Sequence, residues 1–356
     1  MAYIELHKGK LRENYHFLDR LFRQHHIEWG VVTKLLCGNR SYLQVLFELG
    51  VREIFDSRIS NLKSVKRLNP EIQTVYIKPP PKRSIQSLVR YADISFNTEF
   101  YTIKMISEEA CRQDKIHRII IMIEMGDLRE GVMGDRLMEF YSKVFELPNI
   151  EIIGIGANLN CLNGVIPTHD KLIQLSLYKQ LIEATFRKKI PWVTGGSSVT
   201  IPLLQKQLVP KGINHFRVGE TLFLGNNLLT GKTLKGMKSD IFTLYAEIIE
   251  LIEKPKVPIG EITTNVAGET PEIVEEDYGK TSYRAILDIG LLDVSPDHLV
   301  LKDNRIAVSG ASSDMIVVDL GENKPGYKVG DVIGFGLSYM GVLSILNSNY
   351  IEKVVI

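Results

Sequence analysis

The feature that most narrows the fold is an alternation repeated along the first two thirds of the chain. Short apolar, β-branched runs at 30–35, 53–56, 73–78, 93–96, 118–124, 151–157, 192–194 and 214–218 read as strands. Between them, segments such as 41–49, 58–68, 84–91, 99–112, 134–146 and 169–188 carry apolar residues at helical spacing. A helix at 10–25 precedes the first strand, with Leu11, Tyr15, Leu18, Leu21 and Phe22 on one stripe. Eight strand–helix units in this length predict an α/β fold, a (β/α)8 TIM barrel. A doubly wound dinucleotide fold fits less well, because no Gly-x-Gly-x-x-Gly follows the first strand.

Past Thr230 the texture changes. Runs at 241–252, 283–289, 305–308, 316–320 and 331–335 read as strands broken by Pro, Gly and Asp, with little helical signal. The expected organisation is therefore a barrel over 1–232 followed by an all-β domain over 233–356, joined through Gly231-Lys232-Thr233-Leu234-Lys235-Gly236. The 356 residues carry a formal net charge of +1, which gives no electrostatic case for nucleic acid or an anionic membrane. No apolar run reaches membrane-spanning length, and the N-terminus lacks the blocks of a signal peptide. Three dispersed cysteines read as reduced thiols without metal spacing, so a cytoplasmic location is expected.

In a barrel, chemistry is expected at the carboxyl ends of the strands. Strand one is expected to end at Lys34, a lone amine after an apolar run. A desolvated lysine has a lowered pKa and can attack carbonyls; the alternative is a lysine whose stem packs on the rim while its charge reaches water. Thr194-Gly195-Gly196-Ser197-Ser198 leads into a helix and reads as an anion cradle, with a glycine turn and serine cap as the alternative. Arg217 ends strand eight as a cation that keeps its proton; the alternative is an ion pair with Glu220 or another carboxylate. Arg129, in the loop 124–131, can hold a carboxylate by a fork, against a solvated loop with internal salt bridges. Together, a lysine nucleophile, a phosphate cradle and an arginine at one barrel mouth suggest pyridoxal 5'-phosphate.

These residues carry a family resemblance. Val32-Thr33-Lys34, Asp56-Ser57-Arg58, Met125 through Gly131, Gly154 through Asn158, Gly195 through Ser198 and Phe216 through Glu220 resemble the alanine racemase-like, fold-type III pyridoxal phosphate enzymes. The likeness is strongest to their ornithine/lysine racemase branch, and it extends into the β domain at Gly310 through Asp314. The resemblance implies an isomerase that interconverts L- and D-amino acids, ornithine or lysine first, by exchanging the Cα proton. It implies that Lys34 forms the aldimine and is one of two bases. It implies that Arg217 meets the pyridine nitrogen, that Ser197, with Gly196 and Ser198, holds the phosphate, and that Asn158 lies beside the ring. Arg129, Ser313 and Asp314 are implied substrate contacts, no metal site is implied, and the partner in a homodimer is expected to cover the site with its β domain. One position departs from the family pattern: Leu291 stands where alanine racemases place the partner's tyrosine, and a leucine carries no proton. Tyr283, Asp293, Ser313, Asp314 and Tyr339 are the candidates to replace it. Two other functions fit the same fold: a lyase resembling D-threonine aldolase or D-serine dehydratase, and a non-catalytic pyridoxal phosphate carrier. The first uses a metal, yet His298 is the only histidine of the β domain; the second resembles proteins that stop after the barrel.

Overall fold

The strands at the centre of the chain are buried on both faces: Glu53–Asp56 and Ile94–Asn97 are buried at every position. Such strands need cover on each side, which a parallel sheet wrapped by helices provides. In the computed structural model, which describes residues 2–264, 268, 270 and 273–356, eight parallel strands close into a barrel. They are Glu28–Val32, Glu53–Asp56, Gln73–Tyr76, Ile94–Asn97, His117–Met122, Ile150–Gly156, Trp192–Ser197 and His215–Val218. The ring closes where the first and eighth pair, with Gly30 opposite Arg217 and Val31 opposite Val218. Phe55, Val75, Ile94, Phe96, Ile120, Met122 and Ile153 form one buried cluster. Burying each such side chain contributes roughly 1.5–3 kcal/mol.

The chain divides into two units, Lys10–Ser239 and Met1–Gly9 with Asp240–Ile356. The expected barrel over 1–232 and second domain over 233–356 therefore need correction: the units divide at 9/10 and 239/240. Tyr3–Leu6 does not belong to the barrel: it pairs antiparallel with Phe242–Pro255, where Tyr3 stacks on Tyr245 at 5.0 Å, and parallel with Glu352–Val355. In the second unit the sheet runs Leu299–Leu301, Val332–Leu337, Phe242–Pro255, Thr281–Leu287, Ile316–Asp319, Ala307–Ala311. The unit is not purely β, because Tyr339–Asn347 is a helix capped by Ser338, whose side chain accepts from the Gly341 amide. Gly341, Val342, Ile345 and Leu346 give it one buried face.

Candidate active site

Strand pairing brings the expected site residues into one arc of the barrel mouth. Ser197 on the seventh strand lies opposite Arg217 on the eighth, and the eighth pairs with the first, which leads into Lys34. Asn158 follows the end of the sixth strand by two residues. Lys34 departs from expectation in one respect. The first strand stops at Val32, and Lys34 opens a 3₁₀ turn that ends at Cys37 and Gly38, both with left-handed backbones. Its side chain is exposed within the single chain. The turn is braced from below: the buried Thr33 hydroxyl donates to the Asp56 carboxylate at 3.0 Å, and Asn61 Nδ2 and the Arg58 amide donate to the same group. Burial raises the pKa of Asp56, and these donors oppose the rise.

Arg217 does not pair with Glu220, whose carboxylate accepts from Asn226 Nδ2. Its Nη2 donates to the Ala157 carbonyl and to Asn158 Oδ1, each at 2.9 Å. The guanidinium lies over Phe96, 5.1 Å from the ring centroid. Burial lowers its pKa to about 10, with the fields of Cys161 and Glu130 opposing and that of Arg129 adding. The group thus stays protonated at neutral pH. Its Nη1 is buried without a hydrogen-bond partner.

The loop after the seventh strand differs from a simple anion cradle. A Cβ on Gly196 would stand 2.3 Å from the Phe216 ring, so that glycine answers to packing. Ser198 is turned inward, its hydroxyl accepting from the amides of Gly219 at 3.3 Å and Thr221 at 3.2 Å. Only Ser197 of the pair keeps a half-buried side chain at the strand end, while its amide donates to Thr200 Oγ1. Arg129 is already engaged: Nε donates to Glu130 Oε2 and Nη2 to Oε1 at 2.5 Å. Asn158 Nδ2 donates to the same Glu130 Oε1. Ser313 and Asp314 lie in the other unit, exposed and bonded to each other at 3.1 Å.

The model of the alanine racemase N-terminal domain matches residues 6–227. The chain belongs to the alanine racemase family. It is 38% identical to the ornithine racemase of Acetoanaerobium sticklandii over 346 residues, covering 97% of each chain. It is 30% identical to the lysine racemase of Thermotoga maritima over 345 residues, covering 97% of this chain and 96% of that one. Alanine racemase from Bartonella henselae, solved with covalently bound pyridoxal phosphate, superposes with a TM-score of 0.72 at 16% identity, covering 100% of this chain and 99% of that one.

Two residues of this alanine racemase-family site escape sequence reasoning. Asp127 looks like a solvated loop carboxylate, yet it is buried and accepts from the amides of Cys161, Leu162, Asn163 and Val165. Burial pulls its pKa up, and the four donors together hold it below the usual carboxylate range. It ties the loop after the fifth strand to the loop after the sixth. Glu130 is the second, and it joins Arg129 to Asn158. The tight turn at Gly131 is the local signal: a Cβ there would stand 2.2 Å from the Glu124 amide. That return folds the loop back towards the barrel.

Proposed function

We propose that the substrate is a basic amino acid, ornithine or lysine, and that Lys34 moves the Cα proton on one face of it. The activity class is an amino acid racemase that uses pyridoxal 5'-phosphate. The observation that carries the site assignment is the buried, unpartnered Nη1 of Arg217. Guanidinium nitrogens only donate, and a pyridine nitrogen accepts. An arginine whose pKa stays near 10 holds that nitrogen without surrendering its proton. Ser197 supports a phosphate contact from the adjacent strand, and Asn158 flanks the ring. Once bound, pyridoxal 5'-phosphate supplies the aldehyde that captures the substrate amine and the ring that acidifies the Cα–H. Lys34, on the turn after the first strand, is the group to which we assign that proton. Arg129 meets the substrate carboxylate, sharing its fork with Glu130.

The opposite face needs a second acid–base group, and we assign it to the β unit of a partner subunit in a homodimer. Exposed apolar residues on the mouth loops support a covered face: Leu128 is 69% and Leu162 63% exposed. The substrate's distal ammonium needs a carboxylate. Glu124 accepts from the amides of Gly126 and Leu128, and Asp127 is consumed by its loop. Glu124, Asp293 and Asp314 each accept at one oxygen only, which leaves these three carboxylates as candidates for the ammonium. Three free cysteines support a cytoplasmic setting. No helix among the described residues is long and apolar enough to cross a membrane.

The test is loss of optical rotation with L-ornithine, L-lysine and L-alanine. The expected order is ornithine or lysine ahead of alanine. Release of ammonia, aldehyde or pyruvate would instead mark a lyase, and no turnover of any amino acid a carrier.

A further inference from the structure

Glu130 stands in the middle of a four-residue chain, Arg129–Glu130–Asn158–Arg217, that spans 28 residues of sequence between Glu130 and Asn158. At one end Arg129 is only partly covered, its side chain 38% exposed; at the other Arg217 is buried with one donor unpaired. Glu130 itself is 11% exposed at its side chain. The direction of the chain follows from what each group can do. An arginine only donates and an ionised carboxylate only accepts. The amide between them must therefore present its oxygen to Arg217 and its nitrogen to Glu130, so its orientation has one solution. Were position 130 uncharged and able to donate, the amide could turn over and aim its nitrogen at Arg217, donor against donor.

We propose that Glu130 is a positioning residue with two opposed duties: it locks Asn158 so that Arg217 holds the cofactor ring, and it competes with the substrate carboxylate for Arg129. This rests on the reading of Arg217 and Arg129 given above. The two duties respond to its loss with opposite signs. Removing the carboxylate frees the Arg129 fork, so a carboxylate anion binds more tightly. It also releases Asn158, so the ring of the cofactor is held less well. The field of Glu130 on buried Arg217 is lost in the same substitution. A residue that only kept the loop folded would weaken both sites together.

The test compares Glu130→Gln with the unmodified holoenzyme, using acetate as the carboxylate probe. Acetate binding is followed as perturbation of the visible cofactor band, and cofactor affinity as the dissociation constant of pyridoxal 5'-phosphate on dialysis. Glu130→Gln is expected to tighten acetate about threefold to tenfold and to weaken the cofactor by a similar factor, the size of one charge-assisted contact. Asn158→Leu is expected to weaken the cofactor alike without tightening acetate, since it leaves the fork between Arg129 and Glu130 in place. Parallel weakening of both constants, or no change in either, overturns the proposal. If the unmodified protein shows no cofactor band, the parent reading falls and takes this one with it; a normal band with parallel changes overturns this one alone.

Discussion

The barrel carries buried polar side chains at both of its ends, and the two sets are wired differently. At the amino ends of the strands, Glu53, Gln73, His117 and His215 each occupy a strand's first position. Glu53 accepts from Gln73 Nε2 at 2.8 Å and bonds His215 Nε2 at 2.9 Å; Gln73 accepts from Arg118. His117 Nε2 meets the Ser95 hydroxyl at 2.9 Å. The leftover buried valence, His215 Nδ1, belongs to a ring stacked on Trp192 at 4.3 Å. At the carboxyl ends, the open valences include a charged donor, Arg217 Nη1, and an acceptor, Asn97 Oδ1 at the end of the fourth strand, with an exposed lysine and a half-buried serine on the same face. A buried cation with a donor left open costs stability unless something arrives to accept from it. The amino end pairs most of its polar groups with one another, and the carboxyl end leaves a buried charge with an open donor.

Substitutions at the two ends therefore separate activity from stability. Lys34→Ala has the largest expected effect: racemisation falls about 10³-fold or more and the visible cofactor band disappears. Because Lys34 is exposed, the unfolding free energy of the cofactor-free protein, read from urea titration, is expected to change by no more than about 0.5 kcal/mol. Glu53→Ala is the mirror image. It strands the buried His215, frees the half-buried Gln73, and costs about 3 kcal/mol of stability, read as a lower urea midpoint. The kcat of the fraction that remains folded stays near that of the unmodified protein. A large loss of kcat in folded Glu53→Ala would dissolve the distinction between the ends.

The amino end also has its own pH signature. Burial lowers the pKa of His117 to about 4, against about 6.5 in an unfolded chain, with Asp93 opposing the fall. Below 6.5 the unfolded chain binds a proton that the folded one refuses, so acid favours unfolding. The stabilisation is whole above pH 6.5 and is lost as the pH falls towards 4, about 3 kcal/mol in all. His117→Gln keeps a partner for Ser95 without the titration. Its unfolding free energy is expected to slope less between pH 6.5 and 4, and an unchanged slope would assign the acid sensitivity elsewhere.

What could be read in the sequence follows from range. The barrel was legible because its alternation is local and repeated, and each strand end then named a candidate. Lys34, Arg217 and the loop from Thr194 to Ser198 follow from that rule; the choice of Ser197 within the loop rests on the family resemblance. The exposure of Lys34 is one of the two readings that the sequence leaves open; the stop of the strand at Val32 was not legible, because the apolar character runs on through Leu36. Tyr3–Leu6 is too short to show a period, and its partners at Phe242–Pro255 and Glu352–Val355 lie at the far end of the chain. Glu130 sits beside Arg129, so a local reading ends at that ion pair; its bond to Asn158 needs the two loops folded together by Asp127 and Gly131. Asn163 Nδ2, bonded to the Asp127 carbonyl at 2.8 Å, adds to that tie.

The smallest expected effect gives the finest division between the two ends. Phe55 and Phe96 belong to one buried cluster, with ring centroids 6.1 Å apart in an edge contact. They look to opposite ends: Phe55 lies 5.7 Å from the His215 ring, and Phe96 lies under the Arg217 guanidinium. Truncating either ring to leucine removes packing in the same core, so both variants are expected to lose about 1 kcal/mol or somewhat more. Only Phe96→Leu also removes a π face from a desolvated cation, a contact of about 1 kcal/mol. The pyridoxal 5'-phosphate dissociation constant is therefore expected to rise about fivefold in Phe96→Leu and to stay within about twofold in Phe55→Leu. Equal rises in the two variants would mean that the core transmits strain freely along the barrel axis, and that the ends are one polar system after all.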